Sequence, residues 1–214
     1  TSNLDVIDVD GAANFAADVT IATGADLLTA SAGTDNVRIG LDAGDSIADG
    51  GLRNILIGRS AGTAITTGDS NVAIGWEAMK SEDAHGNNVA IGASALQNLN
   101  AGADAYNVAV GYQAGATVSI GVQNTFVGGL AGDATDDGTN NVAVGFEALS
   151  ANCGSGNVAL GTRAGKITTG DNNTFVGVNA GTGVTSGGKN TMIGDRAGDA
   201  TTTGGGNIVI GTTC

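Results

Sequence analysis

Asn71-Val72-Ala73-Ile74-Gly75 and Asn88-Val89-Ala90-Ile91-Gly92 are two copies of one pentad, one repeat unit apart. Variants of it recur eleven times along the chain. The asparagines are Asn36, Asn54, Asn71, Asn88, Asn107, Asn124, Asn141, Asn157, Asn173, Asn190 and Asn207. Four residues after each stands a glycine: Gly40, Gly58, Gly75, Gly92, Gly111, Gly128, Gly145, Gly161, Gly177, Gly194 and Gly211. Seven residues after each of the first ten asparagines stands an alanine, from Ala43 to Ala197. Repetition at a short, nearly fixed period marks a stacked fold in which each unit contacts its neighbours along one axis. It argues for a rod and against an enclosed active site.

The pentad predicts a short strand ending in a turn. The residues one and three past each asparagine are aliphatic or threonine, as in Val142 and Val144, and share one strand face. The glycine suits a positive-φ corner or a close backbone approach. The asparagine either ties down the preceding turn or stacks in a ladder with its equivalents. The middle residue is also apolar in most units (Ala73, Leu56, Phe126, Phe175, Met192), and only Arg38 is charged there. A strand apolar on both faces is covered on both faces. One face fills the coil's own interior; the other calls for a second copy of the chain. Phe126, Phe175 and Met192 follow Thr125, Thr174 and Thr191, a covariation that suggests a local shift of the strand between two cores.

The second half of each unit is looser. A single apolar residue recurs about eleven past the asparagine: Ile47, Ile65, Leu99, Val118 and Val184, with Ile167 one step early. Ile65-Thr66-Thr67-Gly68 and Ile167-Thr168-Thr169-Gly170 predict a second, shorter strand and its turn. The fold class expected is all-β: a parallel β-roll or β-solenoid of eleven coils, each of about 16–19 residues. At about 4.8 Å per coil, eleven coils make a rod of roughly 50 Å. Residues 1–35 lack the Asn–Gly register and are expected to cap the first coil, with residues 36–214 forming the repetitive shaft. The last pentad precedes Cys214 without a cap, so further domains are expected beyond it.

Composition fits this reading. Glycine accounts for 38 of 214 residues and proline for none, as uninterrupted hydrogen-bonded ladders require. Aromatic content of 3% implies a thin, layered core. The net charge of −13 argues against nucleic acid as a partner. No apolar run is long enough for a membrane-spanning helix, so membrane insertion is not expected.

The units Asn71–Leu96, Asn141–Gly165 and Asn173–Gly198 resemble repeats of long phage tail-fibre proteins. The segment Gly11-Ala12-Ala13-Asn14-Phe15-Ala16-Ala17-Asp18-Val19-Thr20-Ile21 resembles the region that precedes such repeats. The pentads are also similar to the head domains of trimeric autotransporter adhesins, which are left-handed parallel β-rolls assembled as trimers with strands facing the shared axis. The unit here is longer than in those heads, and no coiled-coil stalk or membrane anchor is visible. Both departures favour the phage fibre. The resemblance implies a left-handed homotrimer located in the virion, with other virion or surface-fibre proteins as partners. It also implies a C-terminal chaperone domain removed after trimerisation. The alternatives are an adhesin at the bacterial surface, binding matrix or glycan, and an ice-binding solenoid with a flat threonine face.

Catalytic chemistry and a cofactor are not expected. The one histidine, His85, rules out a multi-histidine zinc site within the chain and reads as an exposed turn residue. Cys153 and Cys214 lie about three and a half coils apart, roughly 17 Å along the stack and beyond disulfide reach; Cys214 could cross-link neighbouring chains. Asp133, Asp136 and Asp137, like Asp195 and Asp199, offer oxygen ligands of the kind calcium takes. The known calcium-loop spacings are missing, and solvated turns are expected. Glu77 and Glu147 share a register four coils apart, too far for paired-carboxylate glycosidase chemistry within one chain. One surface signal is sharper. Trp76, Tyr112 and Phe146 occupy the position just past the pentad glycine in alternate coils. At about 10 Å between neighbours, they form a candidate glycan-contacting stripe; a loop cover or subunit seam is the competing reading.

Overall fold

The structure, a computed structural model, describes residues 33–48 and 50–213. Eleven three-residue strands follow in chain order: β1 Val37–Ile39, β2 Ile55–Ile57, β3 Val72–Ile74, β4 Val89–Ile91, β5 Val108–Val110, β6 Thr125–Val127, β7 Val142–Val144, β8 Val158–Leu160, β9 Thr174–Val176, β10 Thr191–Ile193 and β11 Ile208–Ile210. They form one parallel sheet in sequence order, each pairing with the next in equivalent register. This is a parallel β-solenoid. Most of the expected capping segment, and Cys214, lie outside the described residues. Thr34 already bridges Leu52, so the stack begins ahead of the first asparagine.

The second strand expected at Ile65–Gly68 and Ile167–Gly170 is not formed. Among the described residues each coil has one strand, and the remainder is a series of turns. Those turns are nonetheless hydrogen-bonded from coil to coil, as in Gly62 N to Ala78 O at 2.9 Å and Thr66 N to Asp83 O at 2.5 Å. Their tight corners need left-handed backbone. The residues six and eight past the asparagine have positive φ in each of the first ten coils, for example Glu77 (53°) and Met79 (49°), and so does the residue before it, for example Ser70 (59°). Gly75, a pentad glycine, has φ of +139°, and a Cβ there would stand 2.5 Å from the Gly92 carbonyl oxygen. Both the angle and the space exclude a side chain.

The asparagines do two jobs at once. From Asn54 onward, each backbone N–H donates to the side-chain Oδ1 of the asparagine one coil earlier, at 2.8–3.1 Å. The Nδ2 group donates to a carbonyl near the end of the same coil, as in Asn54 to Gly68 at 2.7 Å and Asn124 to Gly138 at 2.8 Å. The turn fastened is thus the one that closes the asparagine's own coil. Asn88 differs: its coil is the longest, and its Nδ2 donates instead to Gly86. The ladder asparagines from Asn36 to Asn190 are buried, which their hydrogen bonds make tolerable.

The middle residue of each strand points inward. Leu56, Ala73, Phe126, Phe175 and Met192 are wholly buried, together with the alanine column from Ala61 to Ala197. The size covariation has its cause across the coil rather than in the neighbouring threonine. Where the middle residue is Ala73, Ala90 or Ala143, the eighth position holds Met79, Leu96 or Leu149; where it is Leu56, Phe126, Phe175 or Met192, that position is glycine. The two large side chains would meet in the same space: a Cβ at Gly132 would lie 2.5 Å from the Phe126 ring. Two coils are small at both positions, Ala109/Gly115 and Ala159/Gly165, and their neighbours fill them. Gly115 faces Leu96 and Phe126 from adjacent coils, and Gly165 faces Leu149 and Phe175. Strand register is unbroken at Phe126 and Phe175, so no strand shift is involved.

Candidate functional site

With the middle residue inside, the residues on either side of it face out. These two columns carry only valine, isoleucine, leucine and threonine on all eleven strands, and each of these residues is partly or largely exposed. A sheet face this long without a charge is unusual on a chain of net charge −13. Around the glycine corner, Leu41, Trp76, Tyr112, Phe146 and Val178 are exposed in a further column, which also carries the charged Arg59 and Asp195.

Trp76, Tyr112 and Phe146 are 50%, 58% and 45% exposed and stand in the same register. Ala93 and Gly129 occupy the intervening coils, so the rings have room to tilt along the column. Phe146 does so: its Cδ2 lies 3.5 Å from where a Cβ on Gly129 would be. The column borders the uncharged face.

The acidic residues are spread among separate tasks. Glu77 pairs with Lys80 at 2.8 Å and accepts from Gln97. Glu147 pairs with Arg163 and Lys166 at 2.7 and 2.8 Å, and hydrogen bonds from Lys166 and then Arg163 hold its carboxyl below the usual range. Asp69, Asp104 and Asp171 accept backbone N–H groups of the preceding coil, capping turns where a carbonyl partner is lacking. Asp136 accepts from Ser119. Burial, with the nearby Glu147, pushes Asp133 up. The aspartates at 133, 136 and 137 are not gathered around a common point; among the described residues one group of three or more potential metal ligands is, namely Glu82, Asp83 and His85.

Periodicity alone places His85 in a turn and assigns Glu82 no role. Yet Glu82 falls eleven residues past Asn71, the interior position that Ile65 and Leu99 hold in the coils on either side. It is completely buried. Its Oε1 accepts the His85 backbone N–H at 3.1 Å and lies 3.3 Å from His85 Nδ1. Burial pushes its carboxyl up, against the pull of His85 and of the Ala101 amide. The same interior column continues with Thr135, Cys153 and Thr168, while Ile167 faces out and is 44% exposed. The Cys153 thiol contacts Thr135 Oγ1 at 3.2 Å, and burial raises its pKa, as suits an inert core thiol.

Among the described residues no helix is long and apolar enough to cross a membrane. Comparison of the chain with protein-family models, with curated proteins and with solved structures finds no match.

Proposed function

We propose that this chain is a structural segment of a homotrimeric fibre of the phage tail type: a stiff spacer that carries attachment parts toward a host surface. The uncharged outer sheet face carries this reading. Two aliphatic columns run the length of eleven strands, and nothing among the described residues covers them. Copies of the same chain offer the same surface, and burial of such area drives association. The copy number of three comes from the resemblance to fibre and adhesin repeats. Stiffness follows from the fold: backbone, asparagine and turn ladders all run between successive coils, so axial load falls on many parallel hydrogen bonds.

Sedimentation equilibrium tests the reading. A mass of three chains is expected, with conversion to monomer when Val110→Lys and Val144→Lys place charges on the outer face. A well-folded, stable monomer of the unaltered chain would overturn it.

The exposed aromatic column supports a second reading, a bacterial surface adhesin or fibre head that contacts glycan directly. Replacing Trp76, Tyr112 and Phe146 together by alanine is expected to abolish binding to host-surface glycan while leaving the fold intact. Unchanged binding by a folded variant would remove that role. An ice-binding face has less support: Thr168 is buried, and the hydroxyls of Thr66, Thr169 and Thr185 donate to carbonyls of the next coil.

A further inference from the structure

Glu82 breaks the rule that the rest of the interior follows. It is the one carboxylate fully buried among the described residues, in a column of aliphatic, threonine and cysteine side chains. Its Oε2 is shut off from solvent and makes no hydrogen bond of good geometry, although the Ala101 amide lies near the carboxyl; His85 Nδ1, 3.3 Å from Glu82 Oε1, is buried and likewise makes none. A buried carboxylate without full hydrogen bonding is destabilising. The Lys80 ammonium does not relieve it, since that group lies 2.8 Å from Glu77. What does face the carboxyl is the imidazole of His85, with the exposed carboxylate of Asp83 completing a set of three ligand atoms within 4.8 Å of one another.

We infer that the Glu82-Asp83-His85 turn is a divalent metal site, taking zinc or a neighbouring borderline ion through one imidazole nitrogen and two carboxylates. The buried Glu82 carboxylate, with Oε1 3.3 Å from His85 Nδ1 and Oε2 accepting no hydrogen bond of good geometry, is the observation that carries this. The chemistry fits the donor set: a neutral imidazole and anionic oxygens suit zinc, cobalt, nickel or manganese rather than calcium. So does the spacing. Two ligands at about 2.0–2.1 Å from a tetrahedral ion stand roughly 3.3 Å apart, and Glu82 Oε1 is 3.3 Å from His85 Nδ1. The turn is also held in place from outside. Asp83 O accepts from Thr66 N at 2.5 Å and from Thr66 Oγ1 at 2.9 Å, and His85 O accepts from Asn71 Nδ2 at 2.9 Å. Three protein ligands leave a fourth position for water or for a donor from another molecule. The bound ion neutralises the buried carboxylate and pins the turn against the stack interior.

The single histidine makes the test direct. Tag-free protein, stripped with a chelator, is titrated with zinc while the imidazole resonances are followed by NMR and the heat by calorimetry. One ion per chain is expected, with the imidazole signals shifting in step and cobalt displacing them paramagnetically. Affinity is expected to fall at least tenfold in Glu82→Gln and in His85→Gln. Imidazole signals that stay unmoved at saturating zinc would overturn the inference, with no variant required. So would equal affinity in the Glu82→Gln/His85→Gln double variant, which would assign the binding to exposed carboxylates.

Discussion

The coil that begins at Asn71 and the coils that hold Phe126 and Phe175 depart from the common unit in opposite ways. Each phenylalanine overfills its own layer, and the excess volume is absorbed by glycines on the facing corner and in the adjacent coil. Glu82 fills its layer with acceptable volume but the wrong polarity, and its Oε2 makes no hydrogen bond of good geometry. Shape mismatch can be relayed along a stack, because each layer borders two others. Charge mismatch has to be met locally, within hydrogen-bond reach. Hence the phenylalanine coils are variations in packing, while the Glu82 coil has the makings of a site.

Substitutions can break or sharpen this contrast, measured by chemical denaturation at fixed protein concentration because assembly contributes to stability. Phe126→Ala should have the largest effect. It empties space shared by the Gly115 and Gly132 layers, and a loss of about 3–5 kcal/mol is expected. Gly132→Leu should cost about 3 kcal/mol, since the new side chain meets the Phe126 ring. Paired with Phe126→Ala it recreates the Ala143/Leu149 combination, and a favourable coupling of about 2 kcal/mol is expected from the double-mutant cycle. A purely additive cycle would refute packing across the coil.

Asn124→Ala removes the acceptor of the Asn141 amide and the donor to Gly138, so a loss of about 2 kcal/mol is expected. A cost this large at a position of modest volume separates the polar ladder from the packed core. Glu82→Leu should have the smallest effect and the opposite sign, a gain of about 1 kcal/mol at neutral pH in metal-free protein, because it continues the Ile65 and Leu99 column. Burial raises the Glu82 pKa in the folded state. Its contribution is therefore most favourable at acid pH and is lost as pH rises through the raised value. Wild-type stability should fall across that window relative to the leucine variant, which paired pH titrations of unfolding will check. Parallel curves would mean that the carboxyl is solvated after all.

Much of this architecture is legible in the repeat. The eleven asparagines, the glycines four residues on and the alanines seven residues on are local requirements, met by particular residue types. An Oδ1 acceptor, a backbone free of Cβ and a small apolar group have few substitutes at those places. The corners are less legible. Glu77, Arg163 and Lys189 adopt positive φ although their side chains give no hint of it, because the inter-coil hydrogen bonds offset the strain. The aromatic column is readable from register alone; its neighbourhood, bordering an uncharged face, is not. Glu82 escapes a reading by residue type, because an acidic residue in a polar-looking turn, Ser81-Glu82-Asp83-Ala84-His85, looks solvated; only its register, eleven past Asn71, marks the interior position.

The amino-acid sequence by itself determines the coil length, the strand, the parallel stacking and the ladder residue, since each depends on chemistry repeated within one unit. The tertiary structure alone decides which strand face lies inside, how Phe126 and Phe175 fill layers other than their own, and that Glu82 is buried beside His85. Those are relations between positions a coil apart or across a coil. A side chain's surroundings there depend on what the stack places above, below and opposite it, and not on its neighbours along the chain.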